Sequence, residues 1–344
     1  MIRFIKVLLL ALALGTSALS QAQTQKSAWA ISIDNDLFTP TGSDRDFTAG
    51  LAVTYSGRDG LDKWRTLDES LALIDSITAK SGADYSKSNI SPSIEVGSYG
   101  FTPEAIQSQP VITDDRPFAS LVYVSSSRIY HHTGARNAWS SSLTLGFLGL
   151  DIVKSVQNRI HGLTGSKKVL GWSNQISDGG EPTFRYQLAY HRDWHENTAN
   201  LQLKTTYFSS IGYLTEAGVA LSTRNGLISS PSHRFNPELI SYGERVNDLV
   251  ATPNRGQEDY FWGGIAFKVR AYNAFLQGQF RHSEHSLNKG QVNYLLAETW
   301  AGYTLSFEYD FKLSYVLRAQ TSEVRQGKAN RALIWGGLVL SQTL

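Results

Sequence analysis

The fold of this chain is decided by a stretch close to its C-terminal end, residues 307–319, which reads FEYDFKLSYVLRA. Its odd positions are Phe, Tyr, Phe, Leu, Tyr, Leu and Ala, whereas its even positions are mostly charged or polar. Because side chains of a β-strand alternate between two faces, one face of this strand is apolar and the other polar. The same alternation recurs at residues 47–55, 184–188 and 265–270.

The length and the pattern of these segments distinguish two all-β architectures. In a soluble sandwich the strands average about five or six residues, and the apolar face is the buried one. In an outer-membrane barrel the strands have about ten residues, with the apolar face turned outward to lipid and the polar face inward. We therefore predict an all-β fold, a transmembrane antiparallel β-barrel.

Alternating segments can be counted along the whole chain. They lie at residues 28–36, 47–57, 91–100, 117–130, 138–150, 183–194, 200–212, 214–224, 258–270, 272–283, 293–304, 309–321 and 331–342. This count is odd, whereas single-chain bacterial barrels have an even number of strands. We predict about twelve strands and place the miscounted segment within residues 200–224 or 293–321, where turns are poorly marked.

The long connections between these segments are the expected place for function. They fall at residues 58–90, 101–116, 151–182 and 225–257, and they carry much of the Asn, Ser, Pro and Gly. Barrels of this class keep periplasmic turns short and extracellular loops long, so all four are predicted on the outer surface.

One of these connections predicts a short amphipathic helix over residues 151–161. Its apolar stripe, which would lean on the barrel rim, consists of Ile152, Val156, Ile160 and Leu163. Gln157 and His161 are four positions apart, so they lie one above the other on an adjacent face. An exposed loop histidine is the alternative reading of His161.

Composition excludes several classes of protein. The chain has no Cys, so it is not a disulfide scaffold. Its net charge of +2 does not indicate a nucleic-acid-binding protein. Only 18% of its residues are charged, while 16 Tyr, 15 Phe and 8 Trp are present. An excess of Tyr and Trp is typical of proteins that line two membrane–water interfaces.

The N-terminal segment predicts export. Arg3 and Lys6 precede an unbroken apolar run at residues 7–14, and small residues follow at Ser20 and Ala22. The run is too short to span a bilayer as a helix, and no later segment is apolar for about 18 residues. We predict a signal peptide at residues 1–22 and a barrel domain at residues 23–344.

A cluster of carboxylates at the end of the first segment is the first candidate site. Asp34, Asn35 and Asp36 end an apolar strand and are followed, one hairpin later, by residues 46–50, which read DFTAG. Asp34 and Asp36 would share one strand face, where a hard cation such as Ca²⁺ would relieve their repulsion. A polar turn that simply ends the strand is the alternative.

Four short motifs together resemble one known family. They are Asn35-Asp36, residues 46–51 (DFTAGL), Asp115-Arg116 and residues 156–161 (VQNRIH). In order and approximate spacing they are similar to the outer-membrane lipid A 3'-O-deacylases, the LpxR family, and the resemblance covers nearly the whole mature chain. Each motif alone is weak, but the set is specific.

The resemblance implies a twelve-stranded barrel in the bacterial outer membrane and a Ca²⁺-dependent esterase. The implied substrate is the 3'-linked acyloxyacyl group of lipid A in the outer leaflet, with no nucleic acid and no obligate protein partner. The family's catalytic pattern falls on Asn35, Asp36, Thr48 and His161, with Gln157 as a supporting residue. Asp36 and Asn35 would hold the Ca²⁺.

One member of the family's pattern is missing. The family has a functional Lys in the loop before the Asp-Arg pair, but residues 88–153 contain no Lys, and Gln107 and Ser108 stand near the expected place. This departure predicts a hydrolase with altered or relaxed headgroup recognition.

The chemistry implied is attack by water on an ester. His161 would take the proton from water, and a cation at Asp36 would stabilise the oxyanion. Two alternatives remain open: a barrel phospholipase, which would require a Ser nucleophile near a His, and a non-catalytic barrel such as a pore, an adhesin or a structural protein.

Overall fold

The chain forms a closed antiparallel barrel. The computed structural model describes residues 27–40, 46–57, 64–78, 89–108, 110–164, 169–194, 200–245 and 257–344, so the predicted signal peptide lies outside the described residues. Its twelve strands are β1 (Ala28–Asn35), β2 (Asp46–Ser56), β3 (Asn89–Thr102), β4 (Ala119–His131), β5 (Asn137–Leu148), β6 (Glu181–Asp193), β7 (Leu201–Gly212), β8 (Leu214–Leu227), β9 (Asp259–Asn273), β10 (Leu295–Ser306), β11 (Phe311–Gln320) and β12 (Leu333–Thr343). Two longer helices are α1 (Arg65–Thr78) and α2 (Asp151–Thr164).

Every strand pairs with its neighbours in chain order, and β1 closes the barrel on β12, with Ala28 opposite Thr343. The prediction of a twelve-stranded antiparallel barrel is confirmed. We call the end at which β1 finishes, at Asn35, the upper end, and the end that holds Ala28 and Thr343 the lower end. No helix in the described ranges is long and apolar enough to cross a membrane.

The wall has the two faces that the alternation predicts. On β9 the outward side chains Phe267 and Val269 are more than half exposed, whereas the intervening Lys268 and Arg270 are buried toward the lumen. On β11 Tyr315 points outward and Arg318 inward. A continuous apolar outer face with charges inside is the pattern of a barrel that sits in lipid.

The segment wrongly counted as a strand is residues 272–283, not one within residues 200–224 or 293–321. β9 ends at Asn273, whose side chain accepts a hydrogen bond from the Phe275 backbone N–H and caps a single helical turn, Ala274–Gln277. Phe275 is fully buried in the aromatic core at the upper end of the lumen. The apolar residues of this segment therefore reflect a buried turn and not a lipid-facing strand.

The four long connections do not lie at one end, so that prediction is wrong for two of them. Connections that follow odd-numbered strands lie at the upper end, and those that follow even-numbered strands lie at the lower end, because each strand reverses the chain. Residues 101–116 and 151–182 join β3 to β4 and β5 to β6, at the upper end. Residues 58–90 and 225–257 follow β2 and β8, at the lower end.

The connection after β8 folds back into the barrel. Residues 228–245, which we call the lumen segment, contact inward-facing side chains on strands around the whole wall. Its partners include Asp34 of β1, Glu95 of β3, Tyr123 of β4, Thr144 of β5, Arg185 of β6, Thr206 of β7, Ser222 of β8, Arg270 of β9 and Arg318 of β11. The segment reaches from the lower end to the upper end and fills the lumen with polar and aromatic groups.

Buried ion pairs tie the lumen together. The guanidinium of Arg245 donates to the Asp34 carboxylate, with Nε 3.0 Å from Oδ2, and both side chains are almost fully buried. Other pairs join the lumen segment to the wall, for example Lys204–Glu238 and Arg185–Glu244, and Arg116–Glu323 joins two connections at the upper end. Charges buried in this way need a partner, because an isolated buried charge is strongly destabilising.

Candidate functional site

The first part of the candidate site is the end of β1. The strand stops at Asn35, whose Oδ1 accepts a hydrogen bond from the Leu37 backbone N–H at 2.7 Å and so caps a short 3₁₀ turn, Asp36–Phe38. Asp36 is the first residue of that turn, and its side chain is buried. The Thr39 hydroxyl and backbone N–H both donate to the Asp36 carbonyl oxygen, which fixes the turn.

The prediction that Asp34 and Asp36 share one strand face is wrong. Asp34 is the last inward-facing residue of β1 and pairs with Arg245 in the lumen, while Asp36 lies beyond the strand in the 3₁₀ turn. The positive group that relieves the charge of Asp34 is therefore a guanidinium and not a metal ion. Any cation site in this region depends on Asp36.

A β-bulge in β2 brings Thr48 to the outer face. In the lower part of β2, even-numbered residues such as Ala52 and Thr54 face the lumen, and Thr54 donates to Glu95 there. The register with β3 shifts between Thr48 and Leu51, and Ala49 adopts a positive φ of 54°. The extra residue shifts the alternation by one, so that in the part of β2 nearer the upper end the even-numbered side chains point outward. Thr48, which regular alternation would place in the lumen, consequently lies on the outward side.

Helix α2 covers this outward surface, in the connection between β5 and β6. The predicted helix at residues 151–161 is confirmed, but its buried line is Val153 and Gln157, whereas Ile152 is exposed to solvent or lipid. The predicted apolar stripe is therefore wrong at Ile152, the side chains of Ile160 and Leu163 lie outside the described part of the structure, and Gln157 faces the wall. The missing side chain of Gly100 on β3 allows this close packing, because a Cβ there would lie 3.0 Å from Val153 Cγ1 and Trp172 Cη2.

Thr48, Gln157 and Asn35 form one hydrogen-bonded cluster under α2. Gln157 Nε2 donates to Thr48 Oγ1 at 3.1 Å, and Asn35 Nδ2 donates to the same oxygen at 3.5 Å. Trp172 Nε1 donates to Gln157 Oε1 at 2.9 Å and fixes the amide. Because two amides use the acceptor capacity of Thr48, its hydroxyl proton is available as a donor to a bound group.

Of the predicted residues, Asn35, Thr48 and Gln157 are in direct contact, although Thr48 and Gln157 are 109 positions apart. Asp36 is adjacent in sequence to Asn35. The backbone of His161 belongs to α2, one turn after Gln157, but its side chain lies outside the part of the structure that is described. The i, i+4 spacing puts both residues on one face of the helix.

Sequence reasoning missed Trp172. It is fully buried in a 3₁₀ turn, Gly171–Asn174, and packs against Phe118 with ring centroids 5.2 Å apart. The only available signal was chemical: a buried glutamine needs partners for both its amide nitrogen and its amide oxygen. The sequence does not show which residue supplies the second partner.

The Asp46 and Asp115-Arg116 motifs build the rim beside the cluster rather than the cluster itself. Arg331 donates to Asp46 (Nε–Oδ2 2.8 Å) and to Asp115 (Nη1–Oδ1 3.0 Å). Burial opposes the charge of Arg331, but the hydrogen bonds and charges of these two carboxylates leave its pKa raised. Asp115 also accepts from the backbone N–H groups of Glu104 and Arg116, so this motif fixes the β3–β4 connection.

A second, exposed pair lies at the same rim. Lys328 donates to Asp114 at 3.0 Å, and this hydrogen bond holds the pKa of the Asp114 carboxyl below its usual range and that of Lys328 above it. The loop in which the resemblance predicts a Lys borders the cluster: the Ser108 carbonyl oxygen lies 2.9 Å from where a Cβ of Gly171 would stand, next to Trp172. Gln107 in that loop is exposed.

The donor set for a metal is limited. In the described ranges no group of three or more His, Cys, Asp or Glu side chains is arranged to hold an ion. Asp36 supplies a carboxylate and Asn35 an amide oxygen at the same turn, and oxygen ligands are those that Ca²⁺ prefers. These two residues fit a hard cation as part of a ligand set that main-chain oxygens or water would complete.

Comparisons with known proteins agree with this architecture. A family model described as outer membrane protein LpxR matches residues 7–344. The solved structure of LpxR from Salmonella typhimurium is similar, with a TM-score of 0.68 and 18% identity over 92% of this chain and 99% of that one. A match to an outer-membrane channel from Pseudomonas putida F1 covers 96% of this chain and 100% of that one, at 8% identity and a TM-score of 0.46. No curated protein sequence matches the chain.

Proposed function

Since the chain belongs to the LpxR family of outer-membrane proteins, we propose that it hydrolyses an ester-linked acyl chain of lipid A, the 3'-acyloxyacyl group. The observation that carries the proposal is the position of the polar cluster. Thr48, Gln157 and Asn35 lie on the outer wall under α2, where a lipid arrives from the side. Polar groups on this outward side are tolerated because they hydrogen-bond to one another and are covered by α2, which places a polar cluster beside the apolar wall.

The upper end faces the cell exterior in this proposal. Lipid A occupies the outer leaflet, and the cluster lies at the upper end of β1 to β3, between the wall and α2. The acyl chain would stay against the apolar wall, where Leu51 and Val53 of β2 are exposed. The ester would then meet the polar groups at the rim.

Hydrolysis needs a base for water and a donor for the oxyanion. His161 is proposed as the base, because an imidazole titrates near neutrality and its helix position places it one turn beyond Gln157. The Thr48 hydroxyl would donate to the ester or to the oxyanion, held in place by Gln157 and Trp172. A water nucleophile fits this set better than a covalent acyl-enzyme, since the cluster hydroxyl is already engaged by two amides.

We further propose that the reaction depends on Ca²⁺. The Asp36 carboxylate and the Asn35 amide oxygen would hold the ion, and a bound Ca²⁺ would polarise the ester carbonyl. The support is the donor chemistry of the turn and the family resemblance.

The alternatives receive less support. The lumen segment crosses the interior and forms ion pairs with the wall, which disfavours a pore. A barrel phospholipase would use a Ser nucleophile, whereas the hydroxyl in the cluster belongs to Thr48.

Mass spectrometry of lipid A from cells that express the chain tests the proposal. We expect loss of the mass of the 3'-linked acyl group, and no loss when divalent ions are chelated. A Thr48→Val variant, which keeps the shape of the side chain but lacks the hydroxyl, should be strongly impaired. Unmodified lipid A in cells that carry the correctly folded wild-type barrel would refute the assignment.

A further inference from the structure

Helix α1 lies on the outside of the barrel, near the lower end, far from the polar cluster. Its Asp68 carboxylate accepts two hydrogen bonds from Arg128, which is close to the lower end of β4 (Nε–Oδ1 2.8 Å and Nη2–Oδ2 2.6 Å). Its last residue, Thr78, is 2.8 Å from the Tyr186 hydroxyl of β6. The helix therefore crosses the outer wall from β4 to β6.

The side chains under α1 face outward, away from the lumen. Tyr123 and Ser125 of β4 point inward, where Tyr123 contacts Glu95 and the lumen segment, so Arg128 and Tyr130 have the opposite facing. Asp75 of α1 accepts hydrogen bonds from the hydroxyls of Tyr130, Ser141 and Tyr186, at 2.7, 2.6 and 2.9 Å. These are polar groups on the face of the wall that lipid normally covers.

The contact between α1 and the wall is both polar and apolar. Leu67 and Leu71 are buried against Ile94 of β3 and Leu143 of β5. Asp68 and Asp75 satisfy the polar part of the patch. An arginine on the lipid-facing wall is destabilising, and α1 supplies the matching carboxylate.

The other face of α1 changes character along the helix. Its first turns expose Arg65 and Glu69, which form an i, i+4 pair. Its later turns expose Leu73 and Ile77, with 65% and 71% of their surface accessible. Exposed apolar side chains next to charged ones are what a helix presents when it lies in a membrane interface.

The aromatic residues of the wall mark that interface. Tyr130, which contacts α1, stands opposite Trp139 of β5, which in turn stands opposite Tyr190 of β6. The rings of Trp139 and Tyr190 are 5.0 Å apart on the outer surface. Tyr and Trp rows at the ends of a barrel lie at the level of the lipid headgroups.

We propose that α1 is an interfacial helix, with Leu73 and Ile77 inserted among the acyl chains of the leaflet at the lower end. The occupant of this surface is the phospholipid of that leaflet, because α1 continues the lipid-facing wall and replaces part of it. The proposal is independent of any activity at the upper end, but the identity of the lipid rests on the orientation of the barrel given in the proposed function.

Spin labelling tests this directly, because the chain has no Cys and a single introduced Cys is labelled uniquely. Nitroxides at Leu73→Cys and Ile77→Cys are measured in nanodiscs of phosphatidylethanolamine and phosphatidylglycerol. Collisions with O₂, which partitions into lipid, are compared with collisions with a water-soluble nickel chelate. Phe267→Cys on the outer wall serves as the lipid reference, and Lys289→Cys, exposed in the β9–β10 connection, as the water reference.

We expect the labels at positions 73 and 77 to behave like the one at 267, with high O₂ and low nickel collision rates. A label at Glu69→Cys, whose surface ion pair contributes little to stability, should show more nickel collisions than the label at 77. Water-like behaviour at position 77 would overturn the proposal. Shielding of position 77 from both reagents would also overturn it, since protein and not lipid would then cover the helix.

Discussion

The lumen and the outer wall under α2 hold polar groups in opposite ways. In the lumen, many of the charged groups meet a group of opposite sign: Asp34 meets Arg245, Glu238 meets Lys204 and Glu323 meets Arg270. Under α2 the ordered contacts join neutral groups, the hydroxyl of Thr48 and the amides of Gln157 and Asn35. The same chain therefore has an interior held together by paired charges and, under α2, a cluster of neutral groups with a donor to spare.

This difference suggests that the lumen contributes stability and that the surface under α2 binds a ligand. Ion pairs that satisfy each other hold the lumen segment in place and leave little capacity for a ligand. A hydroxyl held by two amides is oriented and keeps its proton for a further acceptor. Substitutions should therefore divide cleanly: those in the lumen should change stability, and those under α2 should change activity.

The largest effect is expected at Asp36. The Asp36→Ala variant should lose both activity on lipid A and any dependence on Ca²⁺, because the turn loses its formal negative charge. Activity is measured as release of the acyl chain, with and without a chelator. Asp114→Ala, which removes an exposed carboxylate at the same rim, is the matched control and should stay active. If the Asp36→Ala variant remains active, the carboxylate is not required for the reaction and has a structural role only.

The next largest effect is expected at His161. If this residue activates water, His161→Ala should lower turnover by roughly 10²–10⁴-fold, the usual contribution of a general base, with unchanged unfolding. Wild-type turnover should rise with pH as the imidazole loses its proton and becomes able to act as a base. Equal rates for the two proteins on lipid A, phospholipid and soluble esters would exclude the hydrolytic role.

The third prediction concerns the lumen. Arg245→Met leaves the Asp34 carboxylate buried without its guanidinium and should lower the free energy of unfolding by about 3–5 kcal/mol. Denaturant unfolding in detergent measures this change. The double variant Arg245→Met with Asp34→Leu removes both charges and should recover most of the loss. If the single variant is as stable as the wild type, the lumen pairs do not hold the segment.

The smallest effect is expected at the loop that lacks the family's Lys. Gln107 is exposed there, and the loop touches the turn that holds Trp172. Gln107→Lys should raise turnover on lipid A several-fold through a new contact with a phosphate or sugar oxygen. A short soluble ester should be hydrolysed at the wild-type rate. A parallel gain on both substrates would show that the new Lys acts on the reaction and not on headgroup binding.

The sequence was sufficient for the barrel because lipid and lumen impose a period of two on every strand. It was not sufficient to predict that the Thr48 side chain points outward. The bulge at Ala49 shifts the alternation by one residue, and the amino-acid composition of the strand does not reveal it. The position of the long connections follows from the strand order, because each antiparallel strand reverses the chain. Counting strands alone puts residues 58–90 and 225–257 at the lower end.

The candidate site was predictable only in part, for similar reasons. Gln157 was found through its spacing on α2, but its contact with the wall and with Trp172 depends on packing between distant segments. The sequence predicts Asp34 at a cation site with Asp36, because its actual partner, Arg245, lies 211 positions away and cannot be inferred from the sequence. The helix α1 was overlooked inside a long connection, although Leu67, Leu71 and Ile74 recur at helical spacing.

The lumen segment has a consequence for the order in which the barrel assembles. It is tied to β8 and β9, yet it contacts β1, and the seam between β1 and β12 joins residues more than 300 positions apart, such as Trp29 and Gln342. The segment and the seam both depend on contacts between residues far apart in the chain, such as Arg245 and Asp34, which are 211 positions apart. Contacts of this kind form slowly. We therefore expect packing of the lumen segment and closure of the seam to be slow, late steps of folding.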